Sequence, residues 1–344
     1  MKALFIGGSG TISAAITRKV LEQGWELWLL NRGNRNRDIA GTKGNLVEIQ
    51  CDVNAESENV IAAKLSGQTF DVVADFIAFT PNQVERDFRL FSGKTNQYIC
   101  ISSASVYQKP LSDYRVTEST PLANPYWEYA RNKIALEDLL MKLYREKGFP
   151  VTIVRPSHTY DERSVPLGVH GKNGSWQVLK RIIEGKKVII HGDGSSLWTM
   201  THNSDFANAF IGLMGNIRAV GEAVQITSGE TLTWNQIYES IALALGKNLK
   251  AVHISSEFLS LVGPYNFLGG LIGDKATSVV FDNTKLLRLV PGFTAGVRFD
   301  QGVRETVNYV LTHKECQRED PDFDAWCDRL IEGRGRLLEE LRIS

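Results

Sequence analysis

Short apolar segments alternate with longer amphipathic segments through residues 1–155, and this rhythm constrains the fold more than any other feature. The apolar segments have the length and turn-residue boundaries of buried strands, whereas the amphipathic ones have helical periodicity. The predicted strands are residues 2–6, 25–30, 46–50, 71–75, 97–101 and 151–154, and the predicted helices are 11–23, 57–65, 83–91 and 126–146. Strands joined by helices predict an α/β fold with a doubly wound parallel sheet, covered by helices on both faces.

A glycine-rich loop follows the first predicted strand, in the run Gly7-Gly8-Ser9-Gly10-Thr11-Ile12-Ser13. Glycines there let the backbone approach a pyrophosphate, which meets the amides and the positive dipole end at the helix start. Ser13 stands in place of the usual third glycine, and a small residue still permits close packing. This context predicts a Rossmann-type dinucleotide site at Gly7, Gly10, Thr11 and Ile12; an ordinary tight turn is the alternative.

The end of the second strand indicates which dinucleotide binds. NAD sites usually carry an acid here for the ribose 2′-hydroxyl, but the run is Asn31-Arg32-Gly33-Asn34-Arg35. Arg32, with Arg35 nearby, can pair with a 2′-phosphate, so the sequence predicts NADP, with NAD and a solvated basic loop as the alternatives. Asp52, after the third strand, is predicted to accept from the adenine amino group or to cap the next segment.

A candidate reactive centre lies in two runs, Ser102-Ser103-Ala104-Ser105-Val106-Tyr107 and Tyr129-Ala130-Arg131-Asn132-Lys133. A Tyr and a Lys four residues apart share a helix face, so the ammonium can lower the phenol pKa from about 10. The hydroxyl of Ser103 can then hold a substrate oxygen near the same phenol. A tyrosine in the core and a lysine in solvent at this spacing are the alternative.

The later half of the chain has a looser rhythm and more Gly, Pro and Asn. It predicts helices at 176–184, 205–214 and 234–245, strands at 187–190 and 223–227, and a terminal helix pair from about Glu315. We therefore predict a nucleotide-binding core at 1–155, completed by about 200–230. Residues 156–199 and 231–344 are predicted to form a smaller α/β substrate lobe, built from C-terminal insertions, with the C-terminal helices.

Composition limits the partners. Lys plus Arg and Asp plus Glu both number 39, so no positive field recruits nucleic acid. The four cysteines form no C-x-x-C pair, the histidines have no metal spacing, and the longest mostly apolar stretch, 259–273, falls short of a membrane span. A cytoplasmic protein with a small-molecule substrate is expected, without a metal, membrane or nucleic-acid partner.

With these motifs in this order, the chain resembles the short-chain dehydrogenase/reductase superfamily, and more narrowly its extended branch of NAD(P)-dependent sugar epimerases and dehydratases. Arg155-Pro156 and His191-Gly192-Asp193-Gly194 extend the resemblance. It implies Tyr129 as acid/base, Lys133 as the group that holds the nicotinamide ribose, and Ser103 as donor to the substrate oxygen. The implied cofactor contacts beyond the glycine loop are Asn31, Arg32, Asp52, Val53, Ile77, Ala78, Ser102, Lys133, Pro156 and His158.

Departures from the family narrow the chemistry. Related dehydratases carry an Asp-Glu pair just after the catalytic hydroxyl residue, where this chain has Ala104-Ser105, so an epimerase or oxidoreductase is favoured. Relatives that bind nucleoside diphosphate sugars often have an Arg where this chain has Leu197-Trp198. The substrate is therefore a sugar or a nucleotide sugar, with charge supplied from His170, Lys172 or Arg181 in the second case.

Tyr107, His158 and Trp198 are the candidate substrate contacts, although each could instead only pack. The alternative function is a non-catalytic cofactor-binding or RNA-associated regulatory protein, since RNA-associated relatives also carry Asn-Arg-Gly after the second strand. Relatives commonly dimerise through two helices of each subunit, so a homodimer through helices 83–91 and 126–146 is expected.

Overall fold

The computed structural model describes residues 1–33 and 45–342, so the prediction for Arg35 lies outside the described residues. The strands are β1 Lys2–Ile6, β2 Glu26–Asn31, β3 Asn45–Gln50, β4 Val72–Asp75, β5 Tyr98–Ile101, β6 Arg115–Val116, β7 Val151–Pro156, β8 His158–Tyr160, β9 Val188–His191, β10 Leu197–Trp198, β11 Met200–His202, β12 Ala223–Ile226, β13 Leu232–Thr233, β14 Ala251–Ile254 and β15 Val280–Phe281. The helices are α1 Ser13–Glu22, α2 Glu58–Lys64, α3 Pro81–Phe91, α4 Glu128–Lys147, α5 Trp176–Ile183, α6 Asn203–Leu213, α7 Trp234–Ala244, α8 Ser256–Val262, α9 Thr284–Leu289, α10 Phe299–Thr312 and α11 Pro321–Leu341. A π-helical segment spans Leu268–Lys275.

The first of two compact units comprises Met1–Thr159, Thr201–Gly229 and Phe281–Gly296. Its seven-stranded sheet has the order β12-β7-β5-β4-β1-β2-β3, and every neighbouring pair is parallel. The predicted doubly wound α/β sheet is confirmed. Strand order reverses beside β1 and β4, and ligands of such sheets bind at the carboxyl ends of the strands at this point.

Alternate residues of each strand supply two separate cores. Ala3 and Phe5 of β1 face the core that includes α1 and α6, whereas Leu4 and Ile6 face the core that includes α2, α3 and α4. Successive strand side chains point to opposite faces, so a strand buried on both faces is apolar throughout. This is why the apolar segments of the first half marked the strands so closely.

Two segments from the later half of the chain also belong to the first unit. β12 pairs with β7 as the edge strand, and α9 packs against β12 and α6. The sequence pattern assigns residues 281–296 to the substrate lobe, but Leu286 and Leu289 of α9 are buried in the core of the first unit. A helix as short as α9 has too few periodic positions to reveal which core it joins.

The second unit comprises Tyr160–Met200, Glu230–Val280 and Val297–Ser344. β9 and β14 form a parallel pair, β10 and β13 an antiparallel pair, and α7 packs against α10. The predicted helix pair from Glu315 is wrong, because the single helix α11 follows a short turn. Asp320 caps α11 by accepting from the Phe323 amide at 3.2 Å, and Pro321 starts it. Across the described ranges, every helix is too short or too polar to span a membrane.

Candidate functional site

The loop between β1 and α1 is a tight, internally bonded turn. Gly7 has a φ of 86°, and a Cβ on it would lie 2.6 Å from Cγ2 of Ile77, so only glycine fits. The Ser13 hydroxyl accepts from the Gly10 amide at 2.7 Å and donates to the Gly7 carbonyl at 2.7 Å. Ser13, which departs from the usual glycine pattern, therefore closes the loop through its own side chain.

The start of α1 fits a pyrophosphate. Thr11 and Ile12 are half-exposed and directly precede the helix, and the Gly10 carbonyl accepts from the Ala14 amide at 3.0 Å. Amides in the first turn of a helix have no acceptor within the helix, and the dipole there is positive. Since this loop follows β1, at the point where strand order reverses, the residues present fit a dinucleotide.

The end of β2 carries an amide and a guanidinium. The side-chain oxygen of Asn31 accepts from the Gly8 amide at 3.1 Å, so Asn31 helps to hold the glycine loop. Arg32 follows the strand and is exposed, while its carbonyl accepts from Gln50 at 3.4 Å. The Arg32 side chain is thus accessible to a ligand near the glycine loop.

The loop after β3 is held by hydrogen bonds to groups of the protein itself. Asp52 accepts from the Asn54 amide at 3.0 Å, so one carboxylate oxygen caps the turn, as one of the two predictions for Asp52 expects. Val53 is buried, and its carbonyl accepts from the Arg86 guanidinium at 2.6 Å. Arg86, which has no signature in the sequence, fixes this loop.

Lys133 is buried beneath the ends of β4 and β5. Its Nζ donates to the carbonyls of Ala78 and Ile101 at 2.6 and 2.7 Å, and burial lowers the pKa of the ammonium. The same Nζ lies 5.9 Å from the ring centroid of Tyr129 and 4.6 Å from that of Phe79. An ammonium carries three protons, so one remains for a phenol or a ligand hydroxyl. Tyr129 and Lys133 lie on one helix face, as their spacing predicts.

Ser103 is oriented as a hydrogen-bond donor. Its oxygen accepts from the Ser105 amide at 3.2 Å and from the Ser105 hydroxyl at 2.9 Å, which engages both lone pairs. Ser105 is buried, its carbonyl accepts from Asn124 at 2.8 Å, and its turn packs against α4. The proton of Ser103 is therefore available to a ligand oxygen. The Ser-x-Ser spacing, typical of a local hydroxyl turn, was the available signal for Ser105.

Ser102, predicted as a cofactor contact, has its side chain in the core. It is 1% exposed and its hydroxyl donates to Glu137 at 2.5 Å. Glu137 also accepts from Arg155 at 2.6 and 3.0 Å, and the Arg155 guanidinium lies 5.0 Å from the ring centroid of Tyr107. The Ser102 prediction is corrected for the side chain, which supports a buried ion pair.

Two of the predicted substrate contacts are buried instead. Tyr107 is 1% exposed, and its hydroxyl donates to Gln225 at 2.8 Å. Trp198 is 3% exposed within the second unit, and its ring centroid lies 6.0 Å from that of Trp234. Both side chains pack, which is the alternative stated for each, because distant partners in their own unit enclose them.

The other predicted contacts differ in accessibility. Pro156 ends β7 and is buried, whereas His158 is half-buried at the start of β8. Arg181 is 1% exposed and pairs with Asp324 and Asp328, each at 2.6 Å. Since its charge is neutralised by α11, Arg181 is not a phosphate ligand, and that prediction is wrong.

Comparisons with known proteins give a family model and several relatives of moderate sequence identity. The family model described as NAD dependent epimerase/dehydratase family matches residues 3–227. The chain is 24% identical over 259 residues to the 2′-dehydrokanamycin reductase of Streptomyces kanamyceticus, which covers 75% of this chain and 70% of that protein. It is 26% identical over 255 residues to the chloroplast stem-loop binding protein of 41 kDa b of Arabidopsis thaliana, which covers 71% of this chain and 63% of that protein.

Among solved structures, the fold is similar to that of UDP-glucuronic acid 4-epimerase from Bacillus cereus in complex with NAD. The TM-score is 0.70 at 17% identity, over 92% of this chain and 98% of that one. A likeness at this identity concerns the fold, so the chemistry must be argued from the residues themselves.

Proposed function

The chain belongs to the NAD dependent epimerase/dehydratase family, and from this premise we propose that it is an enzyme that moves a hydride between a nicotinamide cofactor and a sugar or sugar-like hydroxyl or ketone. The observation that carries the proposal is the geometry of Ser103. Ser105 engages both lone pairs of its oxygen, so Ser103 can donate to a carbonyl or alkoxide. The same bonds cap the turn that follows Ser103, so this turn also fixes the orientation of its hydroxyl.

The protein residues would divide the proton chemistry among them. Ser103 donates to the substrate oxygen, and the phenol of Tyr129 gives that oxygen a proton or takes one from it. Lys133, held by the carbonyls of Ala78 and Ile101, keeps a positive charge beside the phenol and presents its remaining proton to a ribose hydroxyl. When bound, the nicotinamide supplies the hydride chemistry, while the protein supplies alignment and electrostatics.

Elimination of water is disfavoured by the residues that follow Ser103. The side chain of Ala104 is neither acidic nor basic, and the Ser105 hydroxyl donates a hydrogen bond to Ser103. The candidate activities are then those of a reductase and an epimerase, and the relative named as a 2′-dehydrokanamycin reductase supports the first of them. We propose a sugar-like ketone ahead of a nucleotide sugar, because Leu197-Trp198 stand where such relatives often have an arginine, and Arg181 is paired with α11.

The test is a cofactor titration followed by a substrate screen. NADPH and NADH fluorescence gives the affinities, and a panel of keto-sugars, aminoglycoside ketones and nucleotide sugars is then followed by nicotinamide absorbance. A reductase consumes the reduced cofactor with a ketone, whereas an epimerase converts a sugar without net absorbance change, which chromatography detects. If the protein binds neither NADPH nor NADH, the proposal is overturned.

We expect Arg32→Ala to weaken NADPH binding about tenfold, with NADH binding changed by less than about twofold. The guanidinium would pair with the 2′-phosphate, and one charge-assisted contact contributes at least about 1.4 kcal/mol. Fluorescence titration of both cofactors measures the change. Arg145→Ala is the matched control, since it removes an exposed arginine from the far end of α4. Equal affinity of the unaltered protein for both cofactors contradicts the NADP preference.

A second candidate is a non-catalytic RNA-binding protein. One relative is named as a chloroplast stem-loop binding protein, which is the observation in its favour. The equal numbers of acidic and basic residues oppose it, because non-specific RNA affinity depends on positive charge. A gel-shift titration with an RNA hairpin at two salt concentrations separates this candidate from an enzyme.

A further inference from the structure

Asp75 is a completely buried carboxyl group at the end of β4, under the loop that leads to α3. Its Oδ1 accepts from the amides of Ile77 and Ala78 at 2.6 and 2.8 Å. The carbonyl of the same Ala78 accepts from Lys133 at 2.6 Å. One carboxylate oxygen therefore fixes the backbone segment that in turn fixes the lysine.

The second oxygen of Asp75 has no such bond. Among the described residues, Asp75 Oδ2 is buried without a hydrogen-bond donor, and Nη2 of Arg86 lies 3.9 Å away. The completely buried Asp87 lies beside it, since the same Nη2 of Arg86 lies 2.8 Å from Asp87 Oδ1. Asp87 itself accepts from Nε of Arg86 at 2.8 Å and from the Tyr98 hydroxyl at 2.7 Å.

Two facing carboxylates cannot bond, because neither has a proton to donate. Burial, followed by the charge of Asp75, raises the pKa of the Asp87 carboxyl well above its usual range. A proton on Asp87 would then be donated to Asp75 Oδ2, which satisfies the buried oxygen. The single proton belongs to the pair rather than to one residue alone.

We propose that Asp75 is a positioning residue for the cofactor-binding segment Ile77–Ala78 and for Lys133, and that a single proton shared with Asp87 holds it in place. The inference deepens the proposed function and rests on the cofactor site described above. Asp75 acts through the backbone of Ile77 and Ala78 and touches neither cofactor nor substrate. Its charged partner, Arg86, extends the same network to the loop after β3 through the Val53 carbonyl.

The first test measures NADPH affinity by fluorescence. Asp75→Ala removes the acceptor for two amides, and we expect the dissociation constant to rise about tenfold, by loss of one net contact to a charged group. Asp75→Asn keeps an acceptor oxygen and offers Asp87 a donor, so its affinity should stay within about threefold. Asp320→Ala is the matched control, because it removes a buried carboxylate that caps α11 in the second unit.

The second test measures thermal unfolding between pH 4 and 8 without cofactor. The native protein keeps the Asp87 proton, which the unfolded chain releases above about pH 3.9, so the pair stabilises most at low pH. This contribution is lost as the pH rises through the native pKa. Asp87→Asn removes the titration, so the melting temperature of the unaltered protein should fall more steeply with rising pH than that of the variant.

Several groups face the pair, and they are common to both proteins in this comparison. They are Arg86 from α3, Tyr98 and Cys100 from β5, and Lys133 from α4. The difference between the two melting curves therefore isolates the pair itself. Parallel curves would overturn the shared proton, and unchanged NADPH affinity in Asp75→Ala would overturn the positioning role. Failure of the unaltered protein to bind any nicotinamide cofactor would instead contradict the proposed function.

Discussion

Tyr129→Phe is expected to lower kcat about a thousandfold on whichever substrate the screen identifies, with cofactor affinity changed by less than about twofold. Positioned proton transfer contributes about 10²- to 10⁴-fold to a rate, and the variant removes the phenolic oxygen that we propose as the acid/base. The ring stays, so its packing 4.9 Å from the Trp127 ring centroid is retained. Single-turnover and steady-state kinetics measure the loss.

The control for this experiment is Tyr144→Phe, which removes a phenolic oxygen near the far end of the same helix. We expect its kcat to be unchanged. A loss in kcat alone in Tyr129→Phe indicates a group that acts in the transition state, whereas a rise in KM alone indicates a binding contact. Full turnover by Tyr129→Phe would contradict the assignment of this tyrosine as acid/base.

Local patterns were sufficient for most of the sheet, because β1, β4, β5 and β7 are almost wholly buried and appear in the sequence as apolar segments. The ends of elements needed side-chain detail. α3 begins at Pro81 instead of residue 83, since Thr80 and Gln83 form a capping box that recruits the preceding turn. The sequence did not predict that α9 belongs to the core of the first unit, because its two buried leucines join that core only through packing against β12.

In the candidate site, too, local features could be predicted from the sequence, whereas contacts between distant residues could not. The shared helix face of Tyr129 and Lys133 is a local property, so spacing was enough to predict it. The burial of Ser102 and Tyr107 was not, because their partners Glu137 and Gln225 lie 35 and 118 residues further along the chain. The proposed homodimer and the roles of the cofactor contacts stay predictions.

Buried polar groups beside the site had one partial signal in the sequence. Asp75 ends a strand that is otherwise Val72-Val73-Ala74, and a carboxylate in such an apolar run requires a partner inside the fold. The partner itself could not be deduced, since Asp87 comes from a helix and only the packing of α3 on the sheet brings the two together.

Glu137→Ala is expected to lower the free energy of unfolding by about 3 to 5 kcal/mol, the usual cost of leaving one buried charge without its partner. Arg155 lies 2.6 Å from Glu137, and the two side chains are 5% and 3% exposed, so solvent does not compensate for the loss. The Ser102 hydroxyl also loses its acceptor. Urea denaturation followed by circular dichroism measures the change.

The matched control is Asp138→Ala, because it removes an exposed carboxylate from the next position of α4 and should cost less than about 0.5 kcal/mol. The double variant Glu137→Leu with Arg155→Met should recover much of the loss, since apolar pairs of similar volume replace buried ion pairs at little cost. A Glu137→Ala protein as stable as the Asp138→Ala control would contradict the buried pair. If the double variant is no more stable than Glu137→Ala, the unpaired guanidinium is not the source of the loss, because the double variant has no such charge.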